Sequence, residues 1–310
     1  MSVRYVDVFD QQDVGQRVDN FLLRQLKGVP RQHIYRLLRK GEVRINGGRV
    51  KASYRLTLND RIRIPPVRTA DTLPVQYSTK TQQNLTDAIL FEDEQYLVID
   101  KPSGIAVHGG SGIGAGVVEI LRDMTGNLRL ELVHRLDRDT SGCLALAKNR
   151  QALTYAQQQF RDRQVKKIYE VFVAGAWPQQ FRTVQLKLQR FETSWGERRV
   201  KVSSDGRASR TDFAVLDRAA NRATRLQATL HTGRTHQIRV HTSANGHPVL
   251  GDDKYTQASS EQTTPDAAPR LCLHARKLMI PLERGALKVN APVSAALEAY
   301  WVGLKGLETA

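Results

Sequence analysis

The residues best suited to chemistry stand together in His134-Arg135-Leu136-Asp137-Arg138-Asp139-Thr140-Ser141-Gly142. Two carboxylates, two guanidiniums, two hydroxyls and an imidazole supply a nucleophile or base, counter-charges and proton donors within one short stretch. Leu144-Ala145-Leu146-Ala147 follows and reads as a short buried strand. Rigid strands commonly carry catalytic groups on the loops that feed them, and this loop has that placement. The plainer alternative is a surface turn in which Arg135, Asp137, Arg138 and Asp139 form ordinary ion pairs. A carboxylate hydrolase is a distant reading, because Asp137 and Asp139 share one loop and no second acid is paired with them.

A second polar cluster is Thr232-Gly233-Arg234-Thr235-His236-Gln237-Ile238-Arg239-Val240-His241. Gly233 and Thr235 suit a helix start, and Asn245-Gly246-His247-Pro248 a stop. Three histidines invite a metal, but His236 and His241 lie roughly 140° apart on a helix of 3.6 residues per turn. A zinc helix separates its ligands by four residues, and no Cys or Glu completes a set here, so no metal is expected. The glycine-rich run Val107-His108-Gly109-Gly110-Ser111-Gly112-Ile113-Gly114 lacks the Gly-Lys-Ser/Thr of a phosphate loop and the spacing of a dinucleotide fingerprint. It reads as a flexible loop.

The chain has 310 residues, a formal charge of +16 and a pI of about 10.1. Such an excess predicts a polyanionic partner, nucleic acid or an anionic membrane surface. No apolar run is long enough to span a bilayer, and the first residues do not form a signal peptide. Cys143 and Cys272, both in apolar surroundings, predict buried free thiols in a reducing cytoplasm. The charge is concentrated: residues 1–68 hold 15 Lys/Arg against 6 Asp/Glu, so a compact basic module opens the chain.

In that module Val18, Phe21, Leu22 and Gln25 approach helical spacing, and Gly28 and Pro30 stop the pattern. Arg31 to Lys40 repeats it, with Ile34, Leu37 and Leu38 as the apolar stripe and Arg31, Arg36, Arg39 and Lys40 opposite. Gly41 ends this second helix. Val43 to Val50 predicts a hairpin turning at Asn46-Gly47, and Arg61 to Ile64 a half-exposed strand. Residues 68–85 are polar and aperiodic and predict a linker. Beyond them come a strand over 95–100, a helix over 152–160 and a strand over 166–175 that places Lys167, Tyr169, Val171 and Val173 on one face. Further strands are expected around 183–189, 198–203, 208–217 and 223–230. A polar loop is expected over 255–269, then a return to the sheet at 271–275, where His274 is structural, and a final helix over 294–302.

Two resemblances arise from these stretches. Ile34-Tyr35-Arg36-Leu37-Leu38-Arg39-Lys40-Gly41-Glu42-Val43-Arg44-Ile45-Asn46-Gly47 is similar to the central pattern of the S4 RNA-binding domain. His-Arg-Leu-Asp-x-x-Thr-Ser-Gly resembles the signature of the RluA-type pseudouridine synthases, which isomerise uridine in structured RNA. Asp100-Lys101-Pro102, Lys167-x-Tyr169 and Thr232-Gly233-Arg234-x-His236-Gln237-Ile238-Arg239 follow the same family's motifs in its order. The resemblance implies an α+β protein: an S4-like α/β module over 1–67, then a mixed, mainly antiparallel sheet over 86–310.

It also implies specific uridines of bacterial 23S ribosomal RNA as substrate, and chemistry that needs no cofactor. Asp137 is implied as the catalytic carboxylate, attacking C1′ or removing the C2′ proton. Tyr169 would stack on the base, and Arg239 would pair with Asp137 and keep it ionised. Arg135 would fill the stack left by a flipped nucleotide, Leu136 and Ile238 would pack beneath the uracil, and Arg234 and His236 would meet the substrate. Arg31, Arg36, Arg39, Lys40, Arg44 and Lys101 are the expected RNA-binding residues. Nothing in the sequence demands more than a monomer. The rival readings are a sister synthase acting on other rRNA or tRNA uridines, and a non-catalytic RNA-binding factor in ribosome assembly.

Overall fold

The computed structural model describes residues 3–11, 13–26, 28–67, 78–109, 115–256 and 268–306. Much of the expected linker (68–77), part of the glycine-rich loop (110–114) and most of the polar loop (257–267) lie outside the described residues. The chain divides into two compact units, Met1–Gln76 and Tyr77–Ala310.

The first unit holds β1 (Arg4–Asp7), α1 (Val18–Gln25), α2 (Arg31–Lys40), β2 (Arg44–Ile45), β3 (Gly48–Arg49) and β4 (Arg61–Ile64), with sheet order β1-β4-β2-β3. Ile34, Leu37 and Leu38 are buried on α2, while Arg31, Arg36, Arg39 and Lys40 are exposed. The helix ends where Gly41 turns left-handed at φ 71°, a conformation that costs glycine little. Asn46 (φ 51°) and Gly47 (φ 79°) make the two-residue turn between β2 and β3, as the dipeptide predicts. The sequence gives β1 no visible signal: only one of its residues is even half-buried, so no apolar alternation marks it.

The second unit contains α3 (Thr79–Asp87), β5 (Ile89–Glu92), β6 (Tyr96–Lys101), α4 (Val117–Thr125), β7 (Glu131–Leu132), β8 (Ser141–Ala147) and α5 (Arg150–Arg161). After these come β9 (Lys166–Ala174), β10 (Thr183–Glu192), β11 (Arg198–Val202), β12 (Arg207–Ala219), β13 (Ala223–Leu230), α6 (Gln237–Ala244), β14 (Leu273–Pro281), β15 (Ala286–Asn290) and α7 (Ala295–Gly306). α3 occupies residues whose polar composition predicted linker. Ser78 caps it, its Oγ accepting from the Thr81 N–H at 3.2 Å, and only Leu85 is buried. A nine-residue helix with one apolar anchor leaves almost no periodic signal.

The main sheet runs β11-β10-β12-β13-β9-β14-β8-β6-β5, with β15 added to β14 and β7 to β8. Every described pairing in it is antiparallel except β14 with β8, where His274 faces Ser141 and Ala275 faces Gly142. This is the mixed, mainly antiparallel α+β architecture. β8 is buried along its whole length. Leu144 and Leu146 join Leu97, Ile99, Val117, Ile120 and Leu121 on one face, where α4 packs. Cys143, Ala145 and Ala147 join Tyr96, Val98, Leu153 and Ala156 on the other, where α5 packs. Both faces are covered by helices, so the strand reads as a continuous apolar run.

Candidate active site

The loop from His134 to Thr140 enters the sheet at the start of β8 and is pinned from several sides. The Lys101 ammonium is fully buried and donates to the carbonyls of Pro102, Ile105 and Arg138 at 2.7, 2.9 and 2.8 Å. Gly104 N–H donates to the same Arg138 carbonyl at 3.0 Å, and Ser103 Oγ to the Asp139 carbonyl at 2.6 Å. Burial pulls the Lys101 pKa down to about 7, opposed by Asp139 and Asp137. The expectation that Lys101 binds RNA is therefore corrected. A lysine without solvent access, with three carbonyls on its three donors, fastens the loop rather than meeting phosphates.

At the loop's far end Gly142 has φ 109°, and a Cβ there would sit 2.4 Å from the Ala275 carbonyl oxygen. Only glycine permits β8 to approach β14 so closely. Ser141 Oγ donates to His274 Nδ1 at 2.9 Å, and His274 Nε2 lies 3.2 Å from the Ala291 carbonyl. His274 thus has the structural setting expected of it.

Asp137 lies on a cavity of about 280 Å3 whose walls include Arg135, Leu136, Tyr169, His236 and Ile238. Leu136 and Ile238 are buried and also belong to the two core clusters that flank the cavity. Tyr169 bridges those clusters, and burial, reinforced by Asp137, raises its pKa, so the phenol stays protonated. Arg135 is exposed at the cavity, and among the described residues its guanidinium has no side-chain partner. Arg234 donates from Nε to the Ala208 carbonyl at 3.2 Å, and Arg190 from β10 donates to Thr235 Oγ1 at 2.5 Å.

The expected pairing of Arg239 with Asp137 is not formed. Arg239 is buried and makes a two-pronged bond to Asp252, Nε to Oδ2 at 2.7 Å and one terminal nitrogen to Oδ1 at 2.5 Å, with Asp253 at 3.4 Å. Asp252 takes up the Nε edge of the guanidinium, and Arg239 acts on Asp137 only through space. The nearest cation-forming group to Asp137 is instead His236, whose Nε2 is 3.9 Å from Oδ2. α6 begins at Gln237, later than the glycine and threonine suggest, because His236 itself turns left-handed at φ 53°. Gln237 holds that turn: its Oε1 accepts from Arg234 N–H and Thr232 Oγ1, and its Nε2 donates to Arg210 O and Thr211 Oγ1.

Asp252 and Tyr255 are site residues that sequence reasoning missed. They stand at the edge of the segment read as a coreless polar loop, and only their place directly after the buried Val249-Leu250 hinted at a packed role. Among the described residues no cluster of His, Cys, Asp and Glu is arranged to hold a metal ion.

Comparison with known proteins identifies the family. A family model described as RNA pseudouridylate synthase matches residues 95–244, and an S4 domain model matches residues 16–62. The ribosomal large subunit pseudouridine synthase C of Pasteurella multocida is 49% identical over 289 residues, covering 91% of this chain and 88% of that protein. Its namesake in Escherichia coli K12 is 46% identical over 294 residues, 92% of each chain. This chain belongs to the RNA pseudouridylate synthase family. Among solved structures, human RNA pseudouridylate synthase domain containing 1 superposes with a TM-score of 0.55 at 26% identity, over 72% of this chain and 96% of that one. Human RNA pseudouridylate synthase domain containing 4 gives 0.58 at 24% identity, over 73% and 95%, a likeness of fold.

Three histidines desolvated around this core, two of them buried and His134 half-buried, make stability depend on acid. His134 stacks on Phe160 at 5.2 Å and accepts from the Ala145 N–H, and burial pushes its pKa down to about 4. Burial does the same to His241 and His274, each to about 4. Between pH 6.5 and 4 the unfolded chain binds protons at these sites and the folded chain does not, so stability rises with pH across that window. Each such site contributes a loss of ~1.4 kcal/mol per pH unit as pH falls through the window, and below pH 6 Asp100, raised by burial to about 6, offsets part of the sum. Urea midpoints measured across the window check this, and a flat profile contradicts it.

Proposed function

We propose that this chain converts specific uridines of 23S ribosomal RNA to pseudouridine, with Asp137 as the reacting carboxylate. The observation that carries the reading is the placement of Asp137 on a small cavity whose other walls are an apolar pair and a tyrosine. Pseudouridine formation breaks the N1–C1′ bond, turns the uracil and rejoins it through C5, so nothing is added and nothing is lost. The carboxylate serves this by attack at C1′ or by taking the C2′ proton. Leu136 and Ile238 offer apolar surface for the released uracil, and Tyr169 a ring face with a protonated hydroxyl. A paired uridine is out of reach of such a cavity and must be flipped, at a cost of a few kcal/mol. Arg135, exposed at the cavity and without a side-chain partner among the described residues, would fill the vacated stack with a planar cation. Arg234 and His236 line the same space and meet the substrate.

The RNA grip is divided between the two units. Arg31, Arg36, Arg39, Lys40 and Arg44 are exposed on the first, where they release counterions from phosphates. On the second, β10 and β11 form a hairpin that carries exposed Phe191 and Trp195 among basic residues. Lys201 sits over the Phe191 ring at 5.6 Å and Arg199 over Trp195 at 5.9 Å. Aromatic faces interleaved with cations suit unpaired bases. Trp195 is 72% exposed, whereas Trp177 and Trp301 are 2% and 3% exposed, so quenchable tryptophan emission belongs to Trp195. Addition of 23S rRNA fragments is expected to shield that emission from acrylamide, and unchanged quenching contradicts a hairpin contact. Action as a monomer belongs to the same reading, and two buried unpaired thiols support a cytoplasmic setting.

The test is pseudouridine mapping after incubation with unmodified transcripts of 23S rRNA, 16S rRNA and tRNA. New pseudouridines at a few fixed positions of 23S rRNA alone are expected. Modification confined to tRNA indicates a sister activity, and tight binding without any pseudouridine indicates an assembly factor.

A further inference from the structure

We propose that Tyr255 is a positioning residue, which holds the His236 imidazole as the neutral tautomer protonated at Nε2 and aims that N–H at the Asp137 carboxylate. The inference rests on the reading of Asp137 as the reacting group, and the geometry comes from three contacts. The Tyr255 hydroxyl accepts the Val200 N–H at 3.0 Å and lies 2.7 Å from His236 Nδ1. Its proton then goes to Nδ1, which leaves the ring's own proton on Nε2. Nε2 stands 3.9 Å from Asp137 Oδ2, beyond hydrogen-bond reach in the free enzyme.

The surroundings keep each partner in the required state. Burial pushes Tyr255 up to about 12, so it remains a donor, and the Arg239 guanidinium lies over its ring at 5.1 Å. Burial lowers His236, so the ring stays neutral. The charged groups facing it are Asp137 on the catalytic loop, Arg239 on its own helix, and Asp252 and Lys254 on the following loop. Lys254 is paired with Glu197, and Arg199 of β11 donates to the Lys254 carbonyl at 2.9 Å. Asp252 also accepts from the Lys254 and Tyr255 N–H groups at 2.8 and 3.1 Å, which fixes the loop bearing the phenol. The left-handed His236 backbone is an uncommon conformation for a residue with a side chain, and such outliers concentrate where a group must be aimed.

The chemical advantage is specific. A guanidinium clamped on Asp137 would occupy both oxygens, whereas a neutral N–H leaves the carboxylate ionised with oxygens open to the sugar. The contact can shorten when substrate closes the site, as catalytic hydrogen bonds often do. An imidazolium at the same place would pair with Asp137 and withdraw its charge from the reaction.

Two readouts test this. In enzyme carrying 15N-labelled histidine, without RNA, the His236 signal (assigned by its loss in His236→Gln) should show a protonated Nε2 and a bare Nδ1 at neutral pH. In Tyr255→Phe the ring loses the bond that favours its neutral form, so its pKa rises. A rise of about one unit lowers the single-turnover rate about ten-fold on the acid limb and leaves the alkaline plateau within about two-fold of wild type. Tyr255→Phe/His236→Gln, whose residue 236 keeps a neutral N–H donor and cannot titrate, should lose the shifted limb altogether, whatever its plateau rate. An Nδ1-protonated ring in the wild type, a Tyr255→Phe profile that superimposes on wild type, or a shifted limb that persists in the double variant overturns the proposal. Wild-type enzyme that makes no pseudouridine on the 23S transcript defeats the proposed function instead, and the tautomer measurement still decides the role of Tyr255.

Discussion

Asp137→Ala should lose pseudouridine formation by roughly four orders of magnitude or more, the scale seen when a covalent or charge-bearing group is removed from a site that acts as a unit. RNA affinity should stay within about three-fold of wild type, because register and affinity come mainly from phosphate contacts made elsewhere. Asp137→Asn is the sharper variant. It keeps size and polarity, and in the free enzyme it removes a charge that no guanidinium directly holds. Single-turnover rates on 23S rRNA and filter-binding constants for both variants check the split. A parallel fall in rate and affinity would assign Asp137 to binding.

The second large effect is expected at Asp252. Arg239 and Asp252 are both buried and bonded to each other through two hydrogen bonds. Asp252→Ala leaves a buried guanidinium without its partner, which costs ~3–5 kcal/mol. For a unit of this size the melting temperature should fall by on the order of 10 °C. Replacing both partners, Arg239→Leu with Asp252→Leu, should restore much of that loss, since the expensive species is the lone charge. Calorimetry on the single and double variants checks the sign. A double variant no more stable than Asp252→Ala would mean that the pair is not the unit the structure describes. The activity of the double variant also separates two roles of Arg239. If the guanidinium only braces the Asp252–Tyr255 loop, rate follows stability. If its field assists Asp137 through space, the rate stays low after stability returns.

Sequence and structure agree most closely where local chemistry dictates conformation. The apolar run Leu144–Ala147 is a strand because both its faces are covered, and the Asn46-Gly47 turn follows from two left-handed residues. Ile34, Leu37 and Leu38 define the inner face of α2 by spacing alone. The site was legible as a set of residues: Asp137, Tyr169, Leu136, Ile238, Arg135, Arg234 and His236 do converge on one cavity. Its pairings were not legible, because they depend on long-range geometry. Arg239 meets Asp252 rather than Asp137, and Lys101 turns inward onto three carbonyls, although its sequence neighbours suggest an ordinary exposed cation. Which partner a charged side chain finds is decided by the turn after α6 and the turn after β6, and neither carries a periodic signal. α3 and β1 carry no sequence signal for a related reason: each buries so little that hydrophobic patterning is silent.

The most direct test of the account is the crystal structure of Asp137→Asn bound to a fragment of 23S rRNA that contains a mapped target uridine. That uridine should be drawn out of its stack, with the uracil against Tyr169 and over Leu136 and Ile238. C1′ should lie beside the residue 137 side chain, and Arg135 in the vacated position. A target base still stacked in the RNA, with the cavity empty and contacts confined to the first unit, would contradict it.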